Sequence, residues 1–300
     1  MPAPPIGLAG GDLDELARHV LAAWDDFLDV VRAPVTDLTQ PSRLPGWTGR
    51  DVCIHLGSWP DHRVIESLLA SAAEGAESGH HDADASNARL VEAHRDATTE
   101  EVVAALVAAR TEVADFFGSA DAARLGRASC TSPLGPLPVL TVLHAAGYEL
   151  AVHALDLAPC RAPAPSARML DRGLAALIDV TGALASRSGV DIALTAQTPE
   201  GGWRFVSDAA GWQTTPVAAG RFDGPGVRGT TADLLDTSAG RVHLGQLLVT
   251  RRLHVQQLPS LMRLAPLLHE VPGLPGGAAL RAALAGLGGV TKVLGRLRRG

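Results

Sequence analysis

The sequence predicts an α+β chain in which a four-helix bundle precedes a smaller domain built on an antiparallel sheet. Three observations carry this. Apolar residues recur at helical spacing through the first half. After residue 190 the period switches to alternation, in Val190-Asp191-Ile192-Ala193-Leu194-Thr195 and in two further runs, with turns at Pro199–Gly202 and Ala209–Gly211 between them. Between the halves lies Pro159 to Pro165, a proline-rich stretch of linker composition. The expected boundaries are 10–158 for the bundle, 166–270 for the α+β domain and 271–300 for a C-terminal helical tail.

Each element has its own signal. The first helix starts at Asp12, an N-capping acid with Glu15 three residues on. It carries Leu16, Val20, Trp24, Phe27 and Val31 until Pro34 ends it. Thr48 caps a second helix, with Asp51 at the third position, running through Val52, His55, Leu56 and Trp59. Pro60 then demands a kink, or a break and restart. Residues 76–97, rich in Gly, Ser, Asp and His, read as a loop. A third helix runs from Thr98 to Gly118 and a fourth over 138–157. Beyond the linker come a helix over 167–187, strands at 190–195, 203–206 and 212–217, and a short helix at 231–235. Residues 241–244, and those from Leu248 on, fit either helix or strand.

Composition narrows the function. With 46% apolar and 19% charged residues, the chain can bury a sizeable core. A net charge of −6 and only 5 Phe, 5 Trp and 1 Tyr argue against a nucleic-acid partner. No apolar run reaches the ~20 residues of a spanning helix, and the N-terminus has no basic, then apolar, leader pattern. The tail over 276–300 ends in Arg296, Arg298 and Arg299. It reads as a docked helix rather than a membrane-surface one, because glycines interrupt it and its cations cluster where the helix dipole favours them. Three scattered cysteines, Cys53, Cys130 and Cys160, form neither a disulfide framework nor a metal motif, which suits a reducing cytoplasm.

The fourth helix carries the chemistry. Glu149 and His153 are four apart, so both project from one face, one turn from each other. An acid and an imidazole in an apolar helix need a partner or a ligand, and their spacing suits a shared divalent metal. His55, inside the second helix, is the best third ligand; His62 lies two turns on and cannot share the ion, and His144 is on the opposite face. A set of two nitrogens and one oxygen suits zinc with an open fourth position. A plain Glu149–His153 ion pair beside a core histidine fits the same pattern. His80, His81 and His94 read as solvated loop residues, and His19, His254 and His269 as surface or satisfied core residues.

The stretch Pro41-Ser42-Arg43-Leu44-Pro45-Gly46-Trp47-Thr48-Gly49-Arg50-Asp51-Val52-Cys53-Ile54-His55-Leu56, followed by the Glu149/His153 pair, resembles the two signatures of the mycothiol-dependent maleylpyruvate isomerase family. The resemblance implies a DinB-like bundle followed by a sterol-carrier-like domain, with His55, Glu149 and His153 as zinc ligands. It implies an active-site arginine from the second domain, for which Arg241 is the nearest match, and mycothiol as co-substrate. The implied reaction is thiolate addition to a cis double bond, rotation and elimination, or S-transfer to another small electrophile. Mycothiol belongs to actinobacteria, and a chain whose 26 basic residues include one Lys, Lys292, is compatible with such a host. Two departures from the family pattern are Pro60 and a long tail. The competing classes are a non-catalytic protein binding an apolar ligand and a metal-dependent hydrolase.

Overall fold

The computed structural model describes residues 5–75, 83–264 and 267. The N-terminal half is helical: α1 (Leu13–Arg32), α2 (Gly49–Leu56), α3 (Val64–Glu74), α4 (Ala83–Ala93), α5 (Thr99–Gly118), α6 (Ala120–Leu125) and α7 (Val139–Asp156). Two two-residue strands, β1 (Ser129–Cys130) and β2 (Leu137–Pro138), pair ahead of α7. The C-terminal half comprises α8 (Ala167–Arg187), β3 (Ile192–Gln197), β4 (Gly201–Asp208), β5 (Gly211–Ala218), β6 (Gly226–Arg228), α9 (Thr231–Ser238), α10 (Leu244–Val249), β7 (His254–Gln256) and α11 (Leu258–Leu261).

Side-chain caps start these helices. Asp12 accepts from the Glu15 amide at 2.8 Å. Thr48 with Asp51, and Thr98 with Glu101, form reciprocal capping boxes that satisfy amides the helix leaves unpaired. Helix α1 buries Leu16, Val20, Trp24, Phe27 and Val31 against α5 and α7. Helix α7 is apolar on nearly every side and is correspondingly enclosed, between α1 and α8. Its approach to α8 is close because Gly173 lacks a side chain: a Cβ there would lie 2.4 Å from Ala151 Cβ.

The break and restart that Pro60 demands is found: α2 stops at Leu56 and α3 starts at Val64. Four expectations change. Trp59 lies outside the second helix, in the 57–63 segment. Residues 83–93, expected as loop, form α4, which packs on α2 through a polar sequence whose apolar anchors are few, chiefly Leu90. His94 at its end is not solvated: its ring stacks on Trp59 with centroids 3.9 Å apart, and its Nε2 meets Asp61 at 3.1 Å. The third strand begins at Ile192 instead of 190, since the Val190 amide still bonds back to Ala185 after α8. His80, His81, His269 and the 271–300 tail lie outside the described residues.

The sheet has strand order β5-β4-β3-β6-β7. Its pairs are antiparallel except β3–β6, which run parallel with Thr195 opposite Gly226. A three-residue strand offers no alternation from which that pairing could be read. Phe205, Leu194 and Trp212 are buried, while Val206 is 47% exposed, as the pleat requires. Helix α8 covers β4 and β5.

A buried carboxylate ties the halves together. Asp179 on α8, with no exposed surface, accepts from the Leu8 amide (3.0 Å), Trp212 Nε1 (3.0 Å) and Thr214 Oγ1 (2.6 Å), and its other oxygen meets His144 Nδ1 of α7 at 3.0 Å. His144 therefore serves the junction between α7 and α8, away from Glu149 and His153.

Candidate metal centre

The turn before α2 aims the first candidate ligand. Ser42 N donates to the Trp47 carbonyl and Trp47 N to that of Leu44, closing a tight turn in which Gly46 takes a φ of +80°, a conformation glycine adopts without steric cost. Thr48 then launches α2 and places His55 in its last turn. The Trp47 ring meets His55 edge-on at 5.8 Å. From the other side, α7 presents Glu149 and His153 one turn apart.

These three residues converge. One potential ligand atom from each of His55, Glu149 and His153 lies within 4.8 Å of the other two. Among the described residues no other group of three histidines, cysteines or acids meets in this way. The His55 and His153 rings stand 5.3 Å apart at 78°. His153 Nε2 is 3.5 Å from Glu149 Oε2. His62 instead pairs its backbone with Trp59 in the 57–63 segment.

The electrostatics suit a cation. Burial, with the neighbouring charge of His153, pushes the His55 imidazole down to about 4, so it is a neutral donor. Its buried Nδ1 has no hydrogen-bond partner. Burial also opposes charge on His153, yet hydrogen bonds to Asp156 and Glu149 prevail and raise it to about 9. Burial disfavours the Glu149 carboxylate too, but the hydrogen bond and charge of His153 hold it below its ordinary value. Two nitrogens and one oxygen are the donor set of a three-ligand zinc site. The residues present therefore fit a divalent metal.

Behind His153 stands Asp156, a residue outside the set of site residues expected from the sequence. It is wholly buried and accepts from His153 Nδ1 at 3.0 Å. The signal was available: His-x-x-Asp puts a carboxylate one turn behind a candidate ligand. Arg241 reaches the same carboxylate, from Nε (2.9 Å to Oδ1) and Nη2 (2.8 Å to Oδ2). The structure thus sets Arg241 on Asp156, one residue removed from the three candidate ligands.

Fold and site together define a class: a helical bundle presenting a His/Glu/His cluster, joined to a sheet domain. Residues 20–158 match the model of the mycothiol maleylpyruvate isomerase N-terminal domain. Two similar solved structures are the mycothiol-dependent maleylpyruvate isomerase, at 19% identity and a TM-score of 0.49, and a histidine-to-alanine mutant carrying the same name, at 18% and 0.48. Each comparison covers 77% of this chain and 90% of the other. A search of curated proteins finds no match. Among the described residues no helix is long and apolar enough to cross a membrane.

Proposed function

We propose that this chain is a zinc- and mycothiol-dependent isomerase or S-transferase acting on a small electrophile, of the maleylpyruvate isomerase type. The observation that carries the reading is the convergence of His55, Glu149 and His153 in a region that matches the N-terminal domain model of that family. In this proposal residues 10–158 are the metal-binding unit and 166–270 a second, sterol-carrier-like unit.

A bound divalent ion would supply Lewis acidity, which lowers the pKa of a thiol sulfur toward neutrality. The chain's own residues do the rest. His55 offers a nitrogen that needs no deprotonation at neutral pH, and Glu149 offers a charged oxygen. His153 keeps its Nδ1 proton on Asp156, which leaves Nε2 as its donor atom. Arg241 balances the Asp156 charge, so the buried carboxylate holds His153 without itself taking up the proton. Trp47 packs on His55 and limits its tilt. The three buried cysteines are unpaired, which suits a cytoplasmic setting.

The test is turnover of maleylpyruvate by the purified chain with and without mycothiol. The expected result is turnover that requires the thiol and is lost in His55→Ala. Thiol-independent cleavage of the substrate to maleate and pyruvate, with uptake of one water, would make the protein a hydrolase. Absence of turnover with metal and thiol supplied, together with co-purified apolar ligand, would make it a binding protein.

A further inference from the structure

We propose that Asp156 is a positioning residue through which the C-terminal half sets the metal affinity of the bundle. This rests on the metal reading given above.

The residue is unfavourably placed for a merely structural acid. It ends α7, where the helix dipole disfavours negative charge, and it has no exposed surface. An apolar side chain would fill that position without the cost of desolvating a carboxylate. What the carboxylate does there is specific. It accepts from His153 Nδ1 and so fixes that ring's tautomer and rotation, leaving Nε2 toward Glu149.

The compensating cations come from both sides of the junction between the halves. Arg241 donates Nε and Nη2 to Asp156, and its Nη1 to the Ala239 carbonyl just past α9, which fixes the guanidinium to the C-terminal half. Arg43, from the turn before α2, holds its Nε 3.8 Å from Asp156 and donates Nη2 to Asp236 of α9 at 2.7 Å. Each half thereby lends an arginine to an aspartate of the other. Ser238 of α9 adds a bond to the Tyr148 hydroxyl, next to Glu149. The segment Asp236 to Arg241 caps the last turn of α7, and Asp156 is where that cap meets a ligand.

The experiment measures affinity for Zn²⁺ by chelator competition, and the Co²⁺ absorption spectrum, in the full-length protein. Asp156→Asn keeps an acceptor but removes the charge; it is expected to bind one ion with affinity lowered by about ten- to a hundredfold. Arg241→Met is expected to weaken binding as well, and the double variant to be no weaker than Asp156→Asn, since Arg241 acts through that carboxylate. Arg252→Gln breaks an ion pair on α9 that does not reach the site, and is expected to leave the affinity unchanged. Should Asp156→Asn fail to fold, Arg241→Lys retains a charge but not the two-pronged contact and is expected to show a smaller loss with an altered Co²⁺ spectrum. Wild-type affinity in folded Asp156→Asn or in both Arg241 variants, or equal losses in Arg252→Gln, would overturn the inference and leave the metal reading standing. Failure of the wild-type chain to bind either ion, with His55→Ala behaving the same, would instead remove the metal reading itself.

Discussion

Metal binding by this site is expected to strengthen with pH, through one proton. His55 is neutral at any working pH because burial holds it at about 4, and Glu149 is already ionised. His153 is different: its bonds to Asp156 and Glu149 overcome burial and raise it to about 9. An entering ion must displace the proton on Nε2, while the Nδ1 proton stays on Asp156. Two pH units below that pKa, roughly one molecule in a hundred has the nitrogen free, which costs about 2.7 kcal/mol of apparent affinity at pH 7. The apparent affinity should therefore rise about tenfold per pH unit between about pH 6 and 8. Titration calorimetry with Zn²⁺ in two buffers of different ionisation enthalpy counts the protons, and about one per ion should be released near pH 7. A flat affinity over this range with no buffer-dependent heat would refute the reasoning.

The metal-free protein should show the same two histidines in its stability. The raised His153 contributes stability that is complete below its ordinary 6.5 and is lost as pH climbs through about 9, whereas the lowered His55 costs stability as pH falls from 6.5 through about 4. Thermal midpoints should thus fall on both sides of 6.5 in the presence of a chelator, and Zn²⁺ should flatten the alkaline side. Asp179→Ala strands three buried donors and one part-buried amide and is expected to cost about 4 kcal/mol in urea unfolding; a loss under about 1 kcal/mol would contradict the role given to it. Gly173→Ala should cost about 1–3 kcal/mol by pressing α8 off α7, and adding Ala151→Gly should restore most of it.

What the sequence disclosed follows the range of its interactions. Glu149 and His153 share a helix, so their proximity is a matter of local geometry. His55 needed a motif, because nothing in spacing alone brings α2 to α7. Capped helices with long apolar stripes, α1 and α5, announce themselves; α4 does not, since it leans on α2 with few apolar residues and its polar surface resembles a loop. The β3–β6 pairing depends on a chain crossing that three residues cannot encode visibly. Asp156 escaped because its meaning is set by Arg241, 85 positions away, and by the burial of the helix end they share. His94 escaped because its partner Trp59 lies in a segment that periodicity assigned to helix.

Metal analysis of the purified full-length chain and of His55→Ala tests the central claim most directly. With zinc supplied and excess removed, the chain should retain about one ion, and the variant essentially none, while both unfold cooperatively. A chain that retains none, or a variant that retains as much as its parent, would mean that His55, Glu149 and His153 do not bind zinc as a set.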